Sequence, residues 1–359
     1  MAALGESDEP VADGTTSAIP PPSLQRTLYL LDPGASLTTE NRHLIVRRES
    51  EVLLDLPAVN LDQVMLFGRN AVSPAALICC AQHGIPVAYL SRMGKFYGRF
   101  EPAGQDSSSL LACQFAAHAS GALDLPLARE FVRGKLANTA LLISRYGRNR
   151  KAETDPRAHD AIKLLRDLMH RTKTAVSLES LRGLEGAGAG AYFGVWRMWL
   201  TSAWKFGARQ QQVGTDPINS LLDFGYTLLY QASAGLIQAR GLSPWLGHLH
   251  RPSSGHMALA SDMMEEFRAM VVDSVVLHVC LNGRLAPADF SSQHGEYTLR
   301  PEPARMFVRE IEIRLNTERQ HPRTGDRVDL RRIMDGQLRT LATCYRKNQS
   351  DLYQACVFR

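Results

Sequence analysis

Hydrophobic periodicity changes character once along this chain, close to Pro102, and that change limits the fold more than any other feature. Before it, TLYLLD (27–32), RHLIVRR (42–48), EVLLDLP (51–57) and DQVMLFG (62–68) are short runs rich in Leu or β-branched residues, separated by Pro, Gly, Asn and Asp. That is the pattern of consecutive strands. Ser73 and Pro74 supply an N-cap and a first helical position for a short helix ending before Gly84. IPVAYLS and KFYGRFEP flank residues 92–94 as two further strands around a tight turn. Beyond Pro102 the apolar residues fall at helical spacing, most clearly from Asp216-Pro217 onward. There Ile218, Leu221, Leu222, Gly225, Leu228, Leu229, Ala232 and Leu236 form a stripe that Gly241 closes. The expected architecture is α+β: a small β-rich N-terminal domain over residues 25–102, a linker over 103–109, and a larger all-helical C-terminal domain over 110–359. Residues 1–24 are polar and acidic and end in Ile-Pro-Pro-Pro, which reads as a flexible tail.

Other features exclude whole classes. No run of about 18 uncharged apolar residues is present, so a membrane helix is not expected, and the N-terminus lacks the basic start and apolar stretch of a signal peptide. The expected location is the cytoplasm. Six cysteines without a CxxC pair give neither a disulfide framework nor a zinc knuckle and read as reduced, mostly core thiols. The net charge is only +5, but its distribution is uneven. Arg129, Arg133, Lys135, Arg145, Arg148, Arg150 and Lys151 lie together with Glu130 as the only acid between 129 and 151. A second basic stretch covers 314–347. One such run fits a solvated helix face, whereas two favour a polyanionic partner such as DNA, contacted at its phosphates.

Three stretches could carry chemistry. In LRGLEGAGAGAYFGVW, Glu185 borders a glycine and alanine run that makes a poor isolated helix, so close approach of another helix or a ligand is expected there. In GHLHRPSSGHMALASDMMEEFR, Asp262 and Glu265 are three apart and share a helical face, while Glu266 points about 100° away. His248 and His250 alternate in extended chain, so only one can join those acids. One histidine with several carboxylates suits Mg²⁺ or Mn²⁺ better than zinc. The same residues also fit an acidic helix start favoured by the helix dipole. In DPINSLLDFGYTLLY, Asn219, Tyr226 and Tyr230 step by seven and four and share a face of an otherwise apolar helix, which fits a DNA-contact row or an ordinary core helix.

In their order, these stretches together with LFGRNAVSPAALICCAQHGIPVAYLSRMGKFYGRF resemble the CRISPR-associated protein one family, the integrase of spacer acquisition, from about Leu28 to about Leu281. The resemblance implies Glu185, His250 and Glu265 as catalytic metal ligands, with Asp262 a supporting acid beside them, and Mg²⁺ or Mn²⁺ as the cofactor. It implies that 3′-hydroxyl ends of short DNA fragments are joined to CRISPR repeat DNA by transesterification, with hydrolysis as the same site's nuclease activity. Implied partners are DNA, a second copy of the chain through the N-terminal domain, and CRISPR-associated protein two, and room remains for an end-trimming nuclease. Asn219, Tyr226, Tyr230, Arg133, Arg145 and Arg148 are the candidate DNA contacts. Asp216 and Asn138-Thr139 depart from the family pattern, which more often has Asn and Asn-Gln there.

Two other classes compete. A DNA-binding scaffold for a partner nuclease would keep the basic stretches and have no working metal site. A zinc-binding helical regulator would use His248, His250, His256 and Cys280, although their spacing matches no strong zinc signature.

Overall fold

The computed structural model describes residues 26–92, 94–103, 107–149, 156–210, 214–251 and 253–359. The expected tail at 1–24, the centre of the expected linker (104–106) and the basic residues Arg150 and Lys151 lie outside the described residues.

The strand-like runs form two four-stranded sheets. One contains β1 (Thr27–Leu30), β5 (Gln63–Phe67), β7 (Val87–Leu90) and β8 (Phe96–Phe100) in the order β1-β5-β7-β8, with the first three parallel and β8 antiparallel. The other contains β2 (Ser36–Glu40), β3 (His43–Arg48), β4 (Glu51–Pro57) and β6 (Ala71–Val72) in the order β4-β3-β2-β6. Helix α1 (Pro74–Gln82) begins where the sequence places its cap, with Ser73 Oγ accepting from Ala76 N at 3.1 Å.

Strand β5 shows why both faces of its sheet are covered. All five of its residues are buried. Val64 and Leu66 belong to the core shared with α1 and the second sheet, whereas Met65 and Phe67 belong to the core of the helical region. The two-residue side-chain period of a strand thus joins two cores through one sheet. Phe67 meets Phe224 edge-on at 5.6 Å, Tyr29 Oη donates to Glu312 Oε1 at 2.5 Å, and Arg305 pairs with Asp32. These contacts fix the β-rich part on the helices.

The helical region comprises α2 (Ser108–Ser120), α3 (Asp124–Asn149), α4 (Pro156–Arg171), α5 (Leu178–Trp199), α6 (Pro217–Ala239), α7 (Ala258–Glu265), α8 (Ser274–Leu281), α9 (Pro301–Asn316) and α10 (Leu330–Lys347). Asp216 caps α6 by accepting from Asn219 N at 2.9 Å. Between α7 and α8 the backbone passes through a π-helical turn, Ala269–Asp273. Two short hairpins, β9 (Phe290–Gln293) with β10 (Glu296–Leu299) and β11 (Glu318–Gln320) with β12 (Arg327–Asp329), interrupt a region expected to be helical throughout. The region is therefore mostly helical. Their strands are only three or four residues long, which leaves too little alternation to read from sequence.

Helix α5 forms despite its glycines. Ser177 and Ser180 make a reciprocal capping box at its start. At Gly188 an added Cβ would collide with the Leu136 side chain and lie 3.3 Å from Leu165, so α3 and α4 approach the backbone closely there. The expected close helix contact accounts for this one glycine; Gly183, Gly186 and Gly190 meet nothing within 4 Å. All six cysteines are free, and all but Cys113 are buried. Among the described residues no helix is long and apolar enough to cross a membrane.

Candidate active site

Three helices and one loop bring the polar residues together. Lys135 comes from α3, Glu185 from α5, Asp262 and Glu265 from α7, and His250 from the loop before α7. Lys135 Nζ pairs with Glu185 Oε1 and, at 2.7 Å, with Glu265 Oε2. Two carboxylates that share one ammonium lie within about 6 Å of each other, although 80 residues separate them in sequence (265 − 185 = 80).

Gly247 explains how the loop reaches α7. An added Cβ there would stand 2.7 Å from Ala258 Cβ, 2.8 Å from its carbonyl carbon and 2.9 Å from Asp262 Oδ2, so only glycine lets the chain pass this close. Asp262 is fully buried and accepts the backbone N–H of His248 (2.5 Å), Leu249 (3.0 Å) and His250 (3.0 Å), and pairs with His250 Nδ1 at 2.7 Å. Arg182, three residues before Glu185 on α5, donates to Leu249 O at 2.7 Å and ties the loop to that helix. His250 Nδ1 is committed to Asp262, and among the described residues no hydrogen bond engages Nε2. That is the arrangement by which a carboxylate orients a ligating imidazole.

Electrostatics keep the site charged. Burial alone would push the Glu265 carboxyl up, yet Arg268, then Lys135 and His250, hold it down to about 2. Arg268 Nη1 donates to both Glu265 oxygens, at 2.9 and 3.0 Å, and its guanidinium lies 4.0 Å from the Tyr226 ring centre. His250 has a raised pKa: burial opposes its charge, but the hydrogen bond and charge of Asp262, then Glu265 and Glu185, outweigh burial.

The sequence expected Asp262 and Glu265 to converge on one ion. Instead, Asp262 spends both oxygens on the loop, and only Glu265 faces Glu185. Glu266 is turned into the interior, accepting from Tyr353 Oη (2.6 Å), Gln337 Nε2 (3.0 Å) and Cys356 N (2.7 Å). His248 is engaged by Asp124 and Tyr345. Among the described residues no three His, Cys, Asp or Glu side chains stand at metal-binding spacing. Neither the expected Glu185, His250 and Glu265 set nor the rival zinc set of His248, His250, His256 and Cys280 stands at that spacing, and the Lys135 ammonium lies between the two carboxylates.

Several expected DNA contacts lie elsewhere. Asn219 is fully buried; its Oδ1 accepts from Arg209 and Gln210 N, and its Nδ2 donates to Ala208 O and Asp216. Tyr226 is buried and donates to Asp273 Oδ1 at 2.6 Å, supporting Arg268 rather than facing outward. Tyr230 Oη accepts Met257 N at 2.6 Å, and its ring stacks on His256 beside His250. Arg133 is paired with Glu130, which also accepts Ala355 N. Asn219 and Tyr226 serve the interior, whereas Tyr230 and Arg133 are half-buried; the pattern along α6 shows which face Asn219, Tyr226 and Tyr230 share but not what covers it.

Arg145 lies near Arg314 and Arg319 of the second basic stretch, with Arg148 beside it. Arg145 and Arg148 at the end of α3, Arg314 near the end of α9 and Arg319 on β11 form a linked group of like charges centred on Arg145. Burial, then Arg314 and Arg145, push the Arg319 guanidinium down to about 10, and burial with Arg148 and Arg314 lowers Arg145. Among the described residues Arg319 Nε is buried without a hydrogen-bond partner. Lys135, Arg182 and Arg268 were the functional neighbours not recognised from sequence. Lys135 was visible only as one member of a basic run, and Arg268 only as the residue one helical turn after Glu265.

Glu266 yields a stability prediction. Burial raises its carboxyl to about 7 even though Tyr353, Cys356 and Gln337 favour the charge. A raised carboxyl pKa gives stability that is full below the unfolded value and lost as pH rises through the folded one. Glu266→Gln should therefore flatten the fall of unfolding free energy between about pH 4.5 and 7, a difference on the order of a few kcal/mol in denaturant melts. Parallel wild-type and variant curves would contradict this.

The architecture is shared with several solved structures. A casposase bound to its integration product superposes with a TM-score of 0.79 over 90% of this chain and 92% of the other, at 21% identity. A CAS1 protein from Thermotoga maritima superposes at 0.75 over 89% and 97%, also at 21% identity. Those likenesses establish the fold. In sequence, the family model for CRISPR associated protein Cas1 matches residues 28–313. The CRISPR-associated endonuclease Cas1 3 of Thermus thermophilus is 35% identical over 316 residues, covering 88% of this chain and 92% of the relative. A Cas4/Cas1 fusion from Geobacter sulfurreducens is 32% identical over 92% of this chain, which spans 60% of the fusion. The chain belongs to the Cas1 family.

Proposed function

We propose that this chain is a divalent-metal-dependent endonuclease and integrase of CRISPR adaptation, joining the 3′-hydroxyl ends of short DNA fragments to repeat DNA. The observation that carries the reading is the convergence of Glu185 and Glu265 on a single cation, with His250 oriented by Asp262 beside them. Ionised carboxylates and a neutral imidazole suit Mg²⁺ or Mn²⁺, so the donor set fits, and Glu185, His250 and Glu265 are the residues that would hold the ion. When bound, such an ion polarises a phosphodiester and activates the attacking hydroxyl. Asp262 keeps Nδ1 of His250 occupied, so that Nε2 is the atom presented. Arg268 keeps Glu265 ionised. Phosphoryl transfer needs placement and charge neutralisation rather than a covalent nucleophile, and the site offers none.

Support for this activity also comes from relatives named CRISPR-associated endonucleases and from the likeness to a casposase bound to an integration product. The test is a strand-joining assay with a short 3′-hydroxyl duplex and a supercoiled target carrying the repeat. Joining that requires Mg²⁺ or Mn²⁺ is expected, whereas DNA binding without joining or cleavage would favour the scaffold reading.

For DNA, the Arg145, Arg148, Arg314 and Arg319 cluster is proposed as a phosphate-binding surface. Arg314→Gln with Arg319→Gln should weaken binding to unrelated duplexes about equally, and each lost phosphate contact should lower the log–log salt slope by about 0.9. A changed sequence preference with an unchanged slope would contradict this.

The proposed partners are a second copy of the chain and CRISPR-associated protein two, with an end-trimming nuclease as a further candidate. A Cas6-RT-Cas1–Cas2 complex superposes at a TM-score of 0.81 and 24% identity, covering 93% of this chain and 36% of that one. The proposed pairing surface is the β-rich region, where Val52 and Leu54 on edge strand β4 and Val59 just beyond are exposed. Sedimentation should give a two-chain particle that Val52→Glu with Leu54→Glu converts to one chain; a monomeric wild type at micromolar concentration would contradict this.

A further inference from the structure

Lys135 has a position that charge balance alone does not explain. Its side chain is only 12% exposed, and its ammonium lies between Glu185 and Glu265. Glu265 already has a cationic partner, because Arg268 donates to both of its oxygens. Among the described residues Glu185 has Lys135 as its one ion-pair partner. The lysine therefore does something for the pair of carboxylates that Arg268 cannot: it draws two side chains on different helices onto one point. An ammonium is a compact charge on a flexible stem and can withdraw, whereas a guanidinium grips a carboxylate with a rigid fork.

We propose that Lys135 is a resident stand-in for the divalent cation: it holds Glu185 and Glu265 together while the site is metal-free, and it must leave the carboxylates for the metal to bind. The inference rests on the metal-site reading above and adds a competing cation to it. Three consequences follow from this competition. Removing the ammonium removes a like charge from the ion's position and tightens metal binding. Replacing it with a guanidinium strengthens the competitor and weakens metal binding. In the wild type, metal binding frees the amine. A purely structural lysine predicts instead that either replacement loosens the carboxylates and weakens metal binding.

The experiment titrates Mn²⁺ alone into the full-length protein, without DNA, by calorimetry for wild type, Lys135→Gln, Lys135→Arg and Glu185→Gln. Lys135→Gln should bind Mn²⁺ about tenfold more tightly than wild type, and Lys135→Arg should bind it less tightly than wild type. Equal or weaker binding by Lys135→Gln overturns the proposal. A second measurement needs no variant at all: the rate at which an amine-acetylating reagent modifies Lys135 in the wild type, followed by mass spectrometry. Saturating Mn²⁺ should raise that rate severalfold, and an unchanged or lower rate overturns the proposal. If wild type shows no Mn²⁺ binding that Glu185→Gln removes, the metal-site reading fails and this inference fails with it. If that binding is present but the lysine measurements go the other way, only the stand-in role fails.

Discussion

Glu185→Gln is expected to lower the rate of DNA joining by on the order of 10³-fold, the scale of removing one electrostatic stabiliser from a group-transfer site. The fold should survive. Glu185 is partly exposed, and Lys135 keeps Glu265 as a partner when Glu185 is neutralised, so the loss of stability should be smaller than that of Asp262→Ala. Binding to unrelated duplex DNA should be unaffected, because the Arg145, Arg148, Arg314 and Arg319 cluster involves different side chains. His250→Ala should do the same to joining for a different reason, since it removes the nitrogen that Asp262 orients. The wild-type rate should also fall at acid pH. His250 keeps its proton to higher pH than usual in the metal-free protein, and a protonated imidazole cannot ligate, so joining should rise as pH increases through that raised pKa. Joining and thermal melts measured on the same preparations check this. Near-normal joining by Glu185→Gln would sink the catalytic assignment.

Asp262→Ala is expected to cost both activity and stability. Three consecutive backbone N–H groups and His250 Nδ1 depend on this buried carboxylate. Leaving such donors unpaired costs about 1 to 3 kcal/mol each, so a loss of roughly 3 to 6 kcal/mol is expected after partial rescue by water. Joining should fall with it, because the loop that presents His250 loses its anchor on α7. The contrast with Glu185→Gln is the informative part. One variant should melt nearer to wild type and the other well below it, and a wild-type melting curve for Asp262→Ala would contradict the account of the loop.

Local signals in the sequence were reliable where they had local causes. Ser73 and Asp216 cap helices as read, since a cap is decided within three residues. The apolar run in DQVMLFG forms β5, buried on both faces. The choice of Glu185, His250 and Glu265 came from the family resemblance, and the fold draws Glu185 and Glu265 onto one ammonium. What spacing could not supply was the use of each side chain in three dimensions. Asp262 and Glu265 share a helical face, yet one turns to the backbone of the loop and the other to α3 and Arg268. Tyr226 and Asn219 carry polar atoms in an apolar stripe, and nothing within α6 reveals that Asp273 and residues 208–210 take up those atoms. Lys135 was hidden most completely. A lysine in a basic run reads as a phosphate contact until helices α5 and α7 bring two carboxylates to it.

The central claim is that Glu185, His250 and Glu265 hold one divalent ion in the position that Lys135 now fills. A crystal structure of the full chain grown with Mn²⁺, with the metal located by its anomalous scattering, tests this most directly. The account predicts a single strong peak within about 2.0 to 2.3 Å of a Glu185 oxygen, His250 Nε2 and a Glu265 oxygen, with Asp262 still bonded to His250 Nδ1 and the Lys135 ammonium withdrawn. Saturating Mn²⁺ that leaves Lys135 bridging the two carboxylates, or a peak that none of the three residues touches, would contradict it.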